Sequence, residues 1–134
     1  MFVDACAIIA VLSDEPEAER ISKALVSANN SFTSPIAVLE TVISLARTDK
    51  FDRPITDVEP IVMEFLDERG ITVRDLPPAS EATRLALLAA HRYRAGRHGL
   101  NIGDCLHYAC AKYFDVPILA TASEFAQTDI KTVP

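Results

Sequence analysis

The first twelve residues, MFVDACAIIAVL (1–12), carry the pattern that decides the fold. MFVD predicts a short buried strand, and ACAIIAVL predicts a helix that follows it directly. Asp4 lies at this junction between apolar residues, and a buried carboxylate without a partner is costly. Asp4 can therefore cap the helix by accepting backbone N–H groups. It can also face a ligand, because α/β sheets bind ligands beyond the carboxyl ends of their strands.

The rest of the chain repeats this alternation of short apolar strands with longer helices. Further helices are expected over 15–26, 34–48, 56–70, 80–96 and the segment opened by Asn101. A turn followed by a brief strand is expected within 29–34, and further strands over 71–76, 116–120 and 130–133. Thr56 and Glu59 have the spacing of a capping box for the helix that ends at Gly70. The alternation predicts an α/β fold with a mainly parallel sheet, and the length predicts a single domain over residues 1–134.

Composition narrows the classes of function. The net charge of −6 argues against broad electrostatic binding of nucleic acid, although a divalent cation held by clustered acids would make this formal count misleading. No apolar run approaches the length of a membrane span, and the N-terminus lacks a basic leader. We therefore expect a cytoplasmic protein with no membrane partner.

The cysteines favour reduced thiols over a disulfide framework. There are three, an odd number, and two of them lie in apolar helical patterns. Cys105, His107 and Cys110 could suggest zinc. Side chains two and five residues apart do not share one helix face, so a core role is favoured over a zinc site.

The stretch LNIGDCLHYACAK (100–112) contains a second acid at a helix start. Asn101 and Asp104 have the spacing of a capping box, with Asp replacing the usual Glu or Gln. Gly103 is unexpected within a first turn, since glycine costs about 1 kcal/mol relative to alanine in a helix. Its missing side chain would leave room beside Asp104 for an ion or substrate.

A third acid, Glu40, lies beside apolar positions of the helix over 34–48. Its stem can pack while its head reaches water, which is the ordinary role of a boundary glutamate. If Asp4, Glu40 and Asp104 meet at one site, they repel each other unless a cation is bound. Mg²⁺ or Mn²⁺ takes oxygen ligands and can activate a water for attack on a phosphodiester.

Four segments carry a resemblance to PIN-domain ribonucleases of the VapC toxin type. MFVDACAIIAVL resembles that family's opening strand and helix, and SPIAVLETVISLAR resembles its glutamate segment. GRHGLNIGDCLHYACAKYFDVPILA is the most specific match, and EFAQTDI resembles the C-terminal signature. The family's conserved acids fall on Asp4, Glu40 and Asp104, and the resemblance makes Asp129 structural.

The resemblance implies a PIN-like three-layer α/β/α sandwich and an endoribonuclease that uses Mg²⁺ or Mn²⁺. Asp4, Glu40 and Asp104 would be its metal and catalytic residues, with Asn101 in a supporting role. It also implies a toxin that is neutralised by a cognate antitoxin, forms a homodimer and acts on structured RNA such as tRNA.

Two departures from the family pattern leave an alternative open. Cys6 replaces a frequent Ser or Thr, and we expect it to support the site less well than a hydroxyl. The fourth acidic position falls on Ser123, or on Glu124 if the match shifts by one residue. With only three carboxylates, the chain could be a weakened or inactive PIN domain that acts as an antitoxin-binding module.

The basic stretch HRYRAGRH (91–98) admits two interpretations of equal weight. Arg94, Arg97 and His98 could contact RNA phosphates. They could equally form a solvated helix end, where positive charge suits the helix dipole. His91 and His107 are expected to be structural.

Overall fold

The computed structural model describes residues 1–121 and 123–134, and of Ser123 only the backbone. Strands and helices follow one another along the chain. The described elements are β1 (Phe2–Val3), α1 (Ala5–Leu12), α2 (Ala18–Ser27), β2 (Phe32–Thr33), α3 (Pro35–Ala46), α4 (Ile55–Glu68), β3 (Thr72–Val73), α5 (Ala79–Tyr93), α6 (Ile102–Tyr113), β4 (Ile118–Leu119) and a 3-10 segment, Ser123–Gln127.

The described strands form one parallel sheet in the order β3-β2-β1-β4. Phe2 pairs with Phe32 on one side and with Ile118 on the other, so β1 is central. The chain runs outward from β1 through β2 to β3, then returns to place β4 on the opposite side of β1. The carboxyl ends of β1 and β4 therefore flank the switch point, where open α/β sheets bind ligands.

Alternate residues of the strands face two separate cores, one on each side of the sheet. Phe2 and Ile118 pack in the core that includes Tyr108 of α6, whereas Val3 and Leu119 pack in the core that includes Leu45 of α3. All these side chains are fully buried. The predicted three-layer α/β/α arrangement with a parallel sheet is confirmed. No described helix is both long and apolar enough to cross a membrane.

Several predicted boundaries are wrong. The helix over 56–70 begins instead at Ile55, with Pro54 at the N-cap and no side-chain cap, so the Thr56–Glu59 capping box does not form. The fixed φ of Pro54 suits a helix start, which moves Thr56 into the first turn. The helix expected to reach Gly96 stops at Tyr93, and the last strand is a single parallel bridge from Thr132 to Ile118.

Ser34→Ala is expected to lower the free energy of unfolding by about 1–2 kcal/mol. The buried Ser34 hydroxyl caps α3 by accepting a hydrogen bond from the Ala37 N–H at 3.2 Å. Its loss leaves that N–H without a partner at the start of the helix that carries Glu40. Urea denaturation measures the change. Ser80→Ala, at an exposed position in the first turn of α5, is the matched control, and an equal loss there would contradict the prediction.

Candidate active site

A cavity of about 270 Å³ lies at the switch point of the sheet. Its lining side chains are far apart in the sequence. They come from the segments after β1 and β4, from the middle of α3 and from the start of α6. Its polar lining residues are Asp4, Cys6, Glu40, Ser44, Asn101, Asp104 and Glu124. The structure thus brings together the three predicted carboxylates and Glu124, one of the two residues predicted for the fourth acidic position.

Asp4 caps a helix and also lines the cavity. It is the N-cap of α1, and its Oδ2 accepts a hydrogen bond from the Cys6 N–H at 3.2 Å. The side chain is buried, and its other oxygen, Oδ1, has no hydrogen-bond partner among the described residues. The nearest described donor, Nε2 of His107, lies 3.5 Å from Oδ1, which leaves this buried oxygen able to accept a further contact from a cation or a donor.

Asp104 is held by the predicted capping box. Its Oδ2 accepts from the Asn101 N–H at 2.9 Å, and its own N–H donates to the Asn101 side-chain oxygen at 2.8 Å. Burial raises the pKa of Asp104 to about 6. The charges of Asp4 and Glu124 also raise this pKa, whereas the Asn101 hydrogen bond and His107 oppose the rise. Asp104 thus lies within the electrostatic field of the other acids.

Glu40 reaches the cavity across Gly103. A Cβ built on Gly103 would overlap the Glu40 carboxylate, with Oε1 the closest atom. The other oxygen, Oε2, lies 3.0 Å from Nε2 of His107. Gly103 is therefore required by the close approach of Glu40, which explains a glycine in the first turn of α6.

His107, which the sequence predicts to be structural, lies against two of the carboxylates. It is fully buried beneath the acids, and its Nε2 also lies 3.5 Å from Oδ1 of Asp4. Burial by itself lowers the pKa of His107, but the hydrogen bond that Nε2–H donates to Glu40 and the charges of Asp4, Glu40 and Asp104 outweigh it and raise the pKa. A sequence signal existed, because residues three apart on a helix share a face and Asp104 precedes His107 by three.

Cys6 contributes through its sulfur as an acceptor. The Thr121 N–H, just after β4, donates to Cys6 Sγ at 3.2 Å. Burial, followed by the charge of Asp4, raises the pKa of this thiol, so it stays protonated at neutral pH. Cys6 thereby joins the end of β1 to the segment that carries Glu124.

The fourth acidic position is only partly described. Glu124 lines the cavity from the first turn of the 3-10 segment, whereas the side chain of Ser123 lies outside the described residues. Asp129, which the family resemblance makes structural, accepts hydrogen bonds from Tyr108 at 2.8 Å and Lys112 at 2.7 Å.

The basic residues lie outside this cavity. Arg94, Arg97 and His98 are exposed in the segment after α5, and Arg94 lines a separate apolar groove beside Ile102. Their contact with RNA stays a prediction.

The sequence model of the PIN-domain family matches residues 1–131 of the chain. The chain belongs to the PIN-domain family. Ribonuclease VapC30 of Mycobacterium tuberculosis is 35% identical over 136 residues, which cover 99% of this chain and 98% of the relative. Ribonuclease VapC of Mycolicibacterium smegmatis is 33% identical over 135 residues, covering 99% of each chain.

Solved structures support the same PIN fold. The crystal structure of VapC20 from Mycobacterium tuberculosis, described as a sarcin–ricin-loop-cleaving toxin, is 14% identical with a TM-score of 0.76. The match covers 98% of this chain and 97% of VapC20. A chain of a toxin–antitoxin complex from Klebsiella pneumoniae is 14% identical with a TM-score of 0.72, covering 99% of this chain and 96% of that one. At these identities the likeness concerns the fold alone.

The chemistry of this PIN-domain cavity fits a hard divalent cation. Carboxylate oxygens are the ligands that Mg²⁺ and Mn²⁺ prefer, and Asp4 Oδ1 is a buried carboxylate oxygen without a donor in the described part of the chain. Yet no group of three or more His, Cys, Asp or Glu side chains within residues 1–121 and 123–134 is already arranged to hold a metal ion. Asp4, Glu40 and Asp104 are the residues that would hold such a cation, through their carboxylate oxygens.

The metal-free PIN domain is expected to lose stability as the pH rises from about 4 to about 6. Asp104 has a pKa of about 6 against an ordinary value of 3.8, so the folded state binds this proton more tightly than the unfolded state. Stability is then highest below pH 4 with respect to this group, and is lost as Asp104 ionises. Asp104→Asn should remove that part of the pH dependence.

Urea denaturation in EDTA at several pH values measures the difference between the wild type and Asp104→Asn. Exposed Asp115→Asn removes a charge outside the cavity and serves as the control. An unchanged pH dependence in Asp104→Asn would show that burial of Asp104 carries no such cost.

Proposed function

We propose that this PIN-domain protein is an endoribonuclease toxin of a toxin–antitoxin pair, and that it hydrolyses RNA phosphodiesters with a divalent cation, Mg²⁺ or Mn²⁺. The observation that carries the proposal is the convergence of Asp4, Glu40, Asp104 and Glu124 on one cavity, where the buried Oδ1 of Asp4 has no hydrogen-bond partner among the described residues. Relatives at 33–35% identity that are named ribonucleases support the reaction class.

Each acid has a defined task in this proposal. Asp4 and Asp104 would hold the cation from two helix N-termini, where the carboxylates are fixed by capping bonds that they accept at 3.2 and 2.9 Å. Glu40 would complete the ligand set from α3, with Glu124 as a fourth acid. A bound divalent cation supplies Lewis acidity, which activates water and neutralises charge that develops on a phosphate. Four acids without a cation would instead repel an RNA backbone.

The partners follow from the same family. The Klebsiella pneumoniae structure is described as a toxin–antitoxin complex, which supports an antitoxin as the protein partner of this chain. VapC20 is described as cleaving the sarcin–ricin loop, which supports a structured RNA as substrate, and tRNA is a second substrate of this kind. We also propose a homodimer as the active form.

RNA cleavage by the purified chain tests the proposal. Structured RNAs, including a tRNA pool, are incubated with Mn²⁺, with Mg²⁺ or with EDTA, and new RNA ends are mapped by sequencing. We expect cleavage at few positions with either cation and none in EDTA. Asp104→Asn, purified in parallel, controls for contaminating nucleases. Cleavage that persists in EDTA or in this variant would contradict the proposal.

A second candidate function is an antitoxin-binding module without nuclease activity. It is favoured by the lack of a ready-made three-ligand group within the described residues. Its expected result is an absence of cleavage by metal-loaded protein on every RNA tested, together with tight binding to a cognate antitoxin protein.

A further inference from the structure

Beneath the carboxylates lies a buried imidazole whose place in the site needs an explanation. His107 is fully buried, and its Nε2 faces two acceptors, Oε2 of Glu40 at 3.0 Å and Oδ1 of Asp4 at 3.5 Å. Both atoms are carboxylate oxygens, so Nε2 must carry a proton to make a favourable contact. This holds whether the ring is neutral or charged.

The two ring nitrogens of His107 differ in their surroundings. Nδ1 of His107 is buried and has no hydrogen-bond partner among residues 1–121 and 123–134. A ring that served only to fill the core would leave two polar nitrogens to be satisfied, which an apolar side chain of the same size would avoid. The only described polar contacts of the ring point toward the acids.

Glu40 is the acid that most needs such a contact. Asp4 and Asp104 are short side chains fixed by capping bonds, whereas Glu40 lies within α3 and its side chain is 37% exposed. A glutamate side chain has many rotamers, so holding it in one conformation costs entropy. His107 is the described hydrogen-bond partner of its carboxylate, and Gly103 provides the space beside it.

We propose that His107 is a positioning residue, whose Nε2–H holds the Glu40 carboxylate over Gly103 so that it faces the same cavity as Asp4 and Asp104. This inference rests on the proposed metal site, and it adds a residue that orients one of the ligands of that site. His107 does not touch the substrate or the cation in this role. It acts through Glu40, and it lowers the cost of ordering that side chain when a cation binds.

A pair of matched substitutions separates positioning from packing. His107→Gln keeps an N–H donor on an unbranched side chain, whereas His107→Met has a similar shape and helix propensity but no donor. Burying an amide is costly and burying a thioether is not, so thermal unfolding in EDTA should favour Met over Gln. If His107 positions Glu40, His107→Gln should bind Mn²⁺ more tightly than His107→Met, which is the opposite of their order of stability.

The experiment measures the Mn²⁺ dissociation constant of the full chain by titration calorimetry, with Mn²⁺ electron paramagnetic resonance as a second readout. We expect His107→Met to bind Mn²⁺ about 10–100-fold more weakly than the wild type, the usual effect of losing a group that orients a metal ligand. His107→Gln should recover much of this loss. The same two substitutions at exposed His91, also in a helix, should leave the dissociation constant unchanged.

The contact itself is tested without any metal. In the metal-free protein, Glu40→Gln should shift the ¹⁵N resonance of His107 Nε2, because the acceptor facing it is replaced. Wild-type affinity in His107→Met, or no shift in Glu40→Gln, would overturn the inference. Failure of the proposed function looks different: Mn²⁺ affinities would still follow the order wild type, Gln, Met while no RNA is cleaved. A wild type that takes up no Mn²⁺ would overturn both.

Discussion

Asp4→Asn is expected to reduce RNA cleavage by more than about 100-fold, while the protein keeps its fold. Loss of a group that merely orients a metal ligand costs roughly 10–100-fold, and loss of a direct ligand should exceed that range. Asp4 is expected to have the largest effect because its Oδ1 is buried and has no donor in the described chain. An amide at this position keeps the shape but removes the charge that attracts a cation.

The fold should tolerate Asp4→Asn because the capping role does not require a charge. Asn caps helices as well as Asp does, and its oxygen can still accept from the Cys6 N–H. The melting temperature in EDTA is therefore expected to stay within a few degrees of the wild type. The substitution removes the desolvation cost of a buried charge, which acts in the stabilising direction, and it removes the attraction between Asp4 and His107 Nε2 at 3.5 Å, which acts in the other.

Cleavage rates with Mn²⁺ and thermal unfolding are measured on the same preparations. Asp115→Asn provides the matched control, because it removes one exposed charge at a position with φ of 51°, which Asn tolerates. It should cleave RNA at the wild-type rate. Wild-type cleavage by Asp4→Asn would exclude Asp4 as a ligand, and unfolding of the variant would assign Asp4 a structural role.

Gly103→Ala is expected to abolish cleavage through a single added methyl group. The new Cβ would occupy the space of the Glu40 carboxylate. Glu40 is a flexible side chain, so it can swing away and leave the fold intact, but it then leaves the cavity and its contact with His107. Alanine also favours the helix by about 1 kcal/mol, which offsets part of the lost hydrogen bond.

A double-mutant cycle with Glu40→Ala tests this explanation. If the effect of Gly103→Ala is the clash with Glu40, the alanine should stabilise the protein by about 1 kcal/mol in the Glu40→Ala background, through helix propensity alone. In the wild-type background the same change should be neutral or destabilising. Urea denaturation of the four proteins gives both values. Equal effects in the two backgrounds would refute the clash.

Local chemistry explains which parts of this molecule could be predicted. Asp4 caps α1, and Asn101 and Asp104 form the predicted capping box, because a cap depends on residues within one turn of each other. The helices were recognised from apolar periodicity for the same reason. The start of α4 was misjudged where two local signals competed, and the fixed φ of Pro54 prevailed over the spacing of Thr56 and Glu59.

Resemblance supplied a part of the site that periodicity could not. Composition and spacing left Glu40 as an ordinary boundary glutamate, and only its match to the family's glutamate segment selected it. The structure places its carboxylate in the same cavity as Asp4 and Asp104. Arg94, Arg97 and His98 lie outside that cavity, and their contact with RNA stays a prediction.

The sequence by itself determined the alternation of strands and helices, and it determined that the side chains of Asp4 and Asp104 take part in capping two helix starts. Only the tertiary structure decided that β4 lies beside β1, and that Glu40 crosses Gly103 to reach His107, 67 residues further along the chain. The physical reason is one of range. Caps and periodicity are set by neighbours along the chain, whereas strand order and contacts between helices depend on how both cores pack against the whole sheet.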